Sequence, residues 1–176
     1  MSHNGNERNH RTVIATQGFS QGRRYWEVNC ETLDTGVAVY IGVCKMQDTL
    51  TLGELKDTYG ILVPDCKTFE RRPESSNYKM GSTGPKVTNG DIIGVLLEFE
   101  SDSGKAKINF YKNGELLEQE FRDVKEGEYY PCLSINYGKN FVVLNSSARI
   151  PTGPIKKKEE PKKNLNELFG GGEDEY

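Results

Sequence analysis

The sequence predicts an all-β fold, a sandwich of two antiparallel sheets. Three observations carry that prediction. Apolar and polar residues alternate over short runs such as Tyr25 to Cys30 and Lys105 to Lys112, the period of a strand with one buried face. Turn signals separate these runs at short intervals, among them Asp34-Thr35-Gly36, Asn89-Gly90 and Asn113-Gly114. No stretch before residue 150 repeats apolar residues at helical spacing.

Met1 to Arg11 is polar and rich in Asn, His and Arg. It is expected to be mobile unless a partner holds it. Thr12 to Ala15 is a β-branched run that predicts the first strand. Gly18 to Val28, GFSQGRRYWEV, carries the one tryptophan. A glycine-containing loop leads into a strand from about Arg24 to Leu33. It places Trp26, Val28 and Cys30 on one face and Tyr25, Glu27 and Asn29 on the other. Trp and Tyr bury large areas, so this strand is expected to seed the core.

Val37 to Cys44 is apolar on both faces, the pattern of an interior strand. Gly42 within it signals a close approach or a bulge. Lys45 to Asp57 reads as a loop with room for one helical turn. Tyr59 to Val63 and Thr68 to Glu70 read as strands. Arg71 to Pro85, rich in Arg, Ser, Pro and Gly, reads as the longest irregular loop, and long loops in compact domains often carry function.

Asp91 to Glu100 is a strong strand, with Glu98 and Glu100 read as facing solvent. Lys105 to Lys112 sends Ala106, Ile108 and Phe110 inward and Lys107, Asn109 and Tyr111 outward. Asn113-Gly114 predicts a type I′ hairpin turn, because both residues tolerate positive φ. Glu115 to Phe121 is its return strand, followed by Tyr129 to Ile135 and Phe141 to Leu144. The count is about ten strands. The expected organisation is a flexible segment 1–11, a sandwich domain 12–150 and a charged tail 151–176.

The chain has 176 residues and a formal net charge of −3. That suits one ordinary domain and argues against a general nucleic-acid surface, which needs concentrated positive charge. No apolar run reaches the roughly 20 residues that cross a membrane, and the start has no secretory pattern. A soluble intracellular protein is expected. Cys30, Cys44, Cys66 and Cys132 show no CxxC spacing. Buried free thiols are therefore expected, and no metal.

Enzyme readings fail on inventory. The only histidines, His3 and His10, lie in the polar start, and a positioned general base is missing. Gly81 to Lys86 lacks the spacing of a phosphate loop. No catalytic residue and no cofactor are predicted. After Pro151 a lysine-rich run precedes Leu165, Leu168 and Phe169, which fit one helical face as a short docking motif. An acidic end follows.

The order of motifs resembles the SPRY domain (B30.2/SPRY family). GFSQGRRYWEV is similar to its opening signature, YIGVCK to its next strand and YGILVPDCKTF to the segment after. NGDIIGVLLEFE resembles its G-D-V-I-G-V pattern, INFYKNGELL its F-x-K-N-G hairpin and EYYPCLSI its Y-P-x-x-S strand. Together they span about residues 12–144. The resemblance implies a bent two-sheet, concanavalin-like antiparallel sandwich. It further implies a non-catalytic protein-protein interaction module, an adaptor, scaffold or complex subunit, whose edge loops hold a partner's peptide or loop.

By position, the resemblance implies a pocket at Phe69 and at the turn Asn136-Tyr137-Gly138. The variable loops add Lys45, Met46, Arg71, Arg72 and Tyr78. Arg71 and Arg72 together could clamp an acidic segment, or pair with Glu70 and Glu74 on their own loop. A second reading is an RNA-associated protein using the basic tail. A third is a carbohydrate- or metabolite-binding sandwich using outward Tyr111 and Asn109. The expected setting is cytoplasmic, with a cytoskeletal or ciliary scaffold as one case and the nucleus left open. The tails are expected to dock on neighbouring subunits.

Overall fold

The structure, a computed structural model, describes residues 11–34, 36, 38–48, 54–135 and 140–152. Eleven strands form among them: β1 (Arg11–Ile14), β2 (Arg23–Thr32), β3 (Val39–Cys44), β4 (Thr58–Val63), β5 (Lys67–Arg71), β6 (Lys79–Met80), β7 (Asp91–Glu100), β8 (Lys105–Lys112), β9 (Glu115–Lys125), β10 (Tyr130–Ile135) and β11 (Phe141–Asn145). They make two antiparallel sheets. One has the order β1-β10-β3-β4-β5-β6 and the other β11-β2-β7-β8-β9. The all-β sandwich is as the alternation predicted.

The differences are local. The segment read as one long irregular loop contains β6, which pairs Met80 with Phe69 and Lys79 with Glu70. β9 runs past Phe121 to Lys125 through two register shifts. Asp123 there adopts a positive φ of 58°, which a polar stretch does not announce. Glu98, read as solvent-facing, pairs with Arg23 at 2.7 Å. The Asn113-Gly114 turn has positive φ at both residues, 50° and 82°, as a type I′ hairpin requires.

The main core lies between the sheets. Trp26, Val28 and Cys30 of β2, Ile93, Val95 and Leu97 of β7, and Ala106, Ile108 and Phe110 of β8 are buried. They pack with Val39, Ile41 and Val43 of β3 and Tyr59, Ile61 and Val63 of β4. Each fully buried large apolar side chain contributes roughly 1.5–3 kcal/mol. The strand carrying Trp26 sits between β7 and β11, which is why it organises one layer.

A second buried cluster consists of Tyr40, Cys44, Leu55, Phe69 and Cys132, with Ile14 and Leu62 beside it. Its strand residues alternate with those of the main core, so they face away from the other sheet. β3 is thus covered on both sides, which explains its unbroken apolar sequence.

All four cysteines are free and buried. Burial, then the charge of Asp91, pushes the Cys30 thiol up to about 12. Burial likewise pushes Cys66 up to about 12, against a smaller lowering by Lys112. The folded state therefore keeps protons that an unfolded chain loses near its ordinary thiol pKa of ~8.5. Stability is complete below that pH and declines as pH rises from there towards 12. Urea midpoints measured from pH 7 to 10.5 are expected to fall only above pH ~8.5. Replacing Cys30 by Ala is expected to flatten that fall.

Candidate functional site

The candidate site is the outer face of the six-stranded sheet, built by strand register. Ile14 lies opposite Cys132, Cys132 opposite Gly42, Gly42 opposite Gly60, Gly60 opposite Phe69 and Phe69 opposite Met80. This row runs across the sheet through two adjacent glycines. The Tyr40 ring occupies the space they leave. A Cβ on Gly60 would lie 2.5 Å from Tyr40 Cε2, and one on Gly42 would lie 2.6 Å from Tyr40 Oη. The Tyr40 hydroxyl donates to the Val43 carbonyl at 3.1 Å.

Aromatic rings continue the row. Tyr40 meets Phe69 edge to face, with centroids 5.6 Å apart. Phe69 in turn stacks on Tyr78 at 5.2 Å and an interplanar angle of 21°. Phe69 is only 4% exposed, whereas Tyr78 is 53% and Met80 41% exposed. Phe69, predicted as a partner-binding residue, lies buried beneath the Tyr78 ring. Met80 was missed by sequence reasoning. Its place opposite Phe69 depends on the β5–β6 pairing, which the sequence does not state.

Arg71 and Arg72 part company. Arg71 ends β5 and Arg72 follows it, and the two side chains find different partners within the chain. Arg71 shares the face of Phe69, and its Nη2 donates to the Ser76 carbonyl at 3.1 Å. Arg72 Nε donates to Glu70 Oε2 at 3.1 Å, and Lys79 Nζ lies 3.7 Å from the other Glu70 oxygen. Partial burial lowers the Arg72 pKa, but the Glu70 hydrogen bond and charge outweigh it and hold it above its ordinary value.

Lys45 is engaged within the fold. Its Nζ is 3.3 Å from Asp57 Oδ2 and 5.5 Å from the Tyr129 ring centroid. Met46 beside it is 54% exposed. The structure thus brings Lys45, Met46, Arg71, Arg72 and Tyr78 to one end of the sheet, since Cys44 faces Tyr130 and Thr58 faces Arg71 across the strands. Asn136, Tyr137 and Gly138 lie outside the described residues. They follow Ile135, which pairs with Val39 at the opposite end of β3.

The site therefore offers exposed apolar and aromatic groups on a rigid support, flanked by arginine and lysine. Among the described residues no group of three or more His, Cys, Asp or Glu could hold a metal ion. No helix there is long and apolar enough to cross a membrane. The arrangement suits contact with another polypeptide, since Tyr, Met and Arg are enriched in such interfaces.

Comparison with known proteins agrees. The dual specificity protein kinase splA of Dictyostelium discoideum is 34% identical over 126 residues, 70% of this chain and 5% of that protein. The E3 ubiquitin-protein ligase TRIM9 of Drosophila melanogaster is 28% identical over 73% of this chain and 17% of its own length. The F-box/SPRY domain-containing protein 1 of Drosophila virilis is 28% identical over 72% of this chain and 51% of its own length. The chain thus spans about half or less of these relatives. A crystal structure of a human SPRY domain shares the fold at a TM-score of 0.66 and 23% identity, covering 82% of this chain and 89% of that one. The SPRY domain of human HERC1 does so at 0.60 and 20% identity, covering 78% of this chain and 83% of that one. The family model of the SPRY domain, a protein-interaction module, matches residues 23–147. Over that span, with the sandwich and its order of motifs, the chain belongs to the SPRY domain family.

Proposed function

We propose that this SPRY domain is a non-catalytic adaptor or scaffold module. It binds a peptide segment or loop of a protein partner on the outer face of its six-stranded sheet. The observation that carries this reading is Tyr78, half exposed and stacked on buried Phe69, with Met80 opposite Phe69 across the β5–β6 pair. A ring fixed from below loses little conformational freedom on binding, which favours it as an anchor. Relatives named as an F-box/SPRY protein and an E3 ubiquitin-protein ligase fit a role in which the domain brings a partner to a larger assembly. The described residues contain no histidine, which also favours binding over catalysis. Four unpaired buried thiols favour a reducing, cytoplasmic setting.

The test begins with a displayed peptide library selected on the intact chain, followed by calorimetric titration of the best peptide. Tyr78→Ala is expected to cost about 2 kcal/mol or more, roughly thirtyfold in Kd. Arg72→Ala and Lys45→Ala are expected to change Kd little, because Glu70 and Asp57 already occupy those cations. Unchanged affinity for Tyr78→Ala would place the partner elsewhere.

A further inference from the structure

Away from the outer face, the sandwich is open along one side, where the edge strands β1 and β11 lie. Val13 pairs with Leu133 and Leu144 with Val28, so both share faces with core residues. Yet Val13 is 67% and Leu144 43% exposed. A cleft of about 340 Å³ opens there, lined by Phe19, Trp26, Pro131, Leu144 and Ala15, with Arg24 at its mouth. Its size is at the small end of clefts that hold ligands, ~300–1,000 Å³. The Arg24 guanidinium sits 5.3 Å above the Phe19 ring. The segment from Ala15 to Phe19 forms the other wall and is fixed by backbone hydrogen bonds. Ala15 N donates to Pro131 O at 2.9 Å, and Phe19 and Tyr129 exchange two bonds of 2.8 Å. The cleft is therefore a built concavity with an apolar floor and a cation at its entrance.

We infer that this cleft is a docking site for the chain's own C-terminal segment, seating Leu165, Leu168 and Phe169. Two observations select that occupant. The chain leaves β11 at the cleft's rim, since Leu144 and Ser146 line it. The residues from 153 to the segment's first leucine can extend ~3.3 Å each, about 40 Å in all. The segment also has the complementary chemistry. Three large apolar side chains precede Glu173-Asp174-Glu175, matching an apolar floor with Arg24 at its mouth. Being tethered, the segment reaches the cleft at high effective concentration, so modest contacts suffice. Docking of this kind leaves the Tyr78 face uncovered and is independent of the function proposed above.

A nitroxide on Gly171→Cys of the otherwise intact chain tests the inference, as the four native thiols are buried. The amide signals of Ala15, Leu144 and Ser146 are expected to be lost, while those of Tyr78 and Met80 keep their intensity. Adding Leu168→Ser and Phe169→Ser is expected to restore the lost signals. The same pair of changes, without the label, should shift the emission of Trp26, the only tryptophan, at the cleft floor. These variants alter only the tail, so a folding failure does not confuse the result. Three results would overturn the inference: uniform weak broadening across the domain, loss centred on Tyr78 and Met80, or loss that disappears on dilution and so arises between chains.

Discussion

Asp91→Ala is expected to lower the unfolding free energy by about 3–5 kcal/mol, the usual loss when one partner of a buried charged network is removed. Asp91 opens β7 and is fully buried. Its Oδ2 accepts from Thr88 N at 2.7 Å and Thr88 Oγ1 at 3.0 Å. Its Oδ1 accepts from Asn113 Nδ2 at 2.7 Å, and Lys112 Nζ lies 3.5 Å away. Asn113 Oδ1 in turn accepts from Ile92 N at 2.9 Å. One carboxylate thus joins the turn before β7 to the hairpin after β8. Alanine leaves an ammonium and three donors without the carboxylate that accepts from them. Asp91→Asn keeps an acceptor and is expected to lose less. Urea unfolding measures both, and a loss below about 1 kcal/mol for alanine would show that water replaces the carboxylate.

Gly42→Ala is expected to cost about 3 kcal/mol, the upper part of the range for overpacking. The added Cβ would overlap the Tyr59 carbonyl oxygen and lie 2.6 Å from Gly60 Cα and from Tyr40 Oη. Two of these three atoms are backbone of the neighbouring strand, so a rotamer change cannot relieve the contact. Combining Gly42→Ala with Tyr40→Phe should recover only a minor part of the loss. Full recovery would mean that the hydroxyl alone was the obstacle. Since Tyr40 supports Phe69 and Phe69 supports Tyr78, the folded fraction of Gly42→Ala is also expected to bind the partner more weakly.

These two positions show how the sequence carries its information. Asn89-Gly90 and Asn113-Gly114 are legible as turns because their chemistry is local. The aspartate that links them is not, because the two turns meet only after β7 and β8 pair. Strand alternation made the core face of β2, β7 and β8 readable, Trp26 and Phe110 included. Gly42 was legible as a close approach, but not its partner Gly60, which lies across a register that the sequence does not state. β6 was hidden because two residues among Ser, Pro and Gly carry no period.

The candidate site was legible in the same partial way. Tyr78 and Met46 were identifiable as loop residues of interface-prone types, and both are exposed. Phe69 was placed correctly on its strand, but its depth depends on the ring that covers it. The Arg71–Arg72 pair invited a joint role because the two are adjacent in sequence. β5 ends at Arg71, whose guanidinium reaches the Ser76 carbonyl, while Glu70 engages Arg72.

The most direct measurement is a titration of the isotope-labelled chain with the peptide selected on it, followed by amide shifts. The account predicts that the largest changes fall on Phe69, Arg71, Tyr78, Met80 and Met46, and that Tyr78→Ala abolishes them at the same peptide concentration. Changes centred on Trp26 and Leu144, or on the Ser101 to Gly104 turn, with the Tyr78 face unmoved, would contradict it.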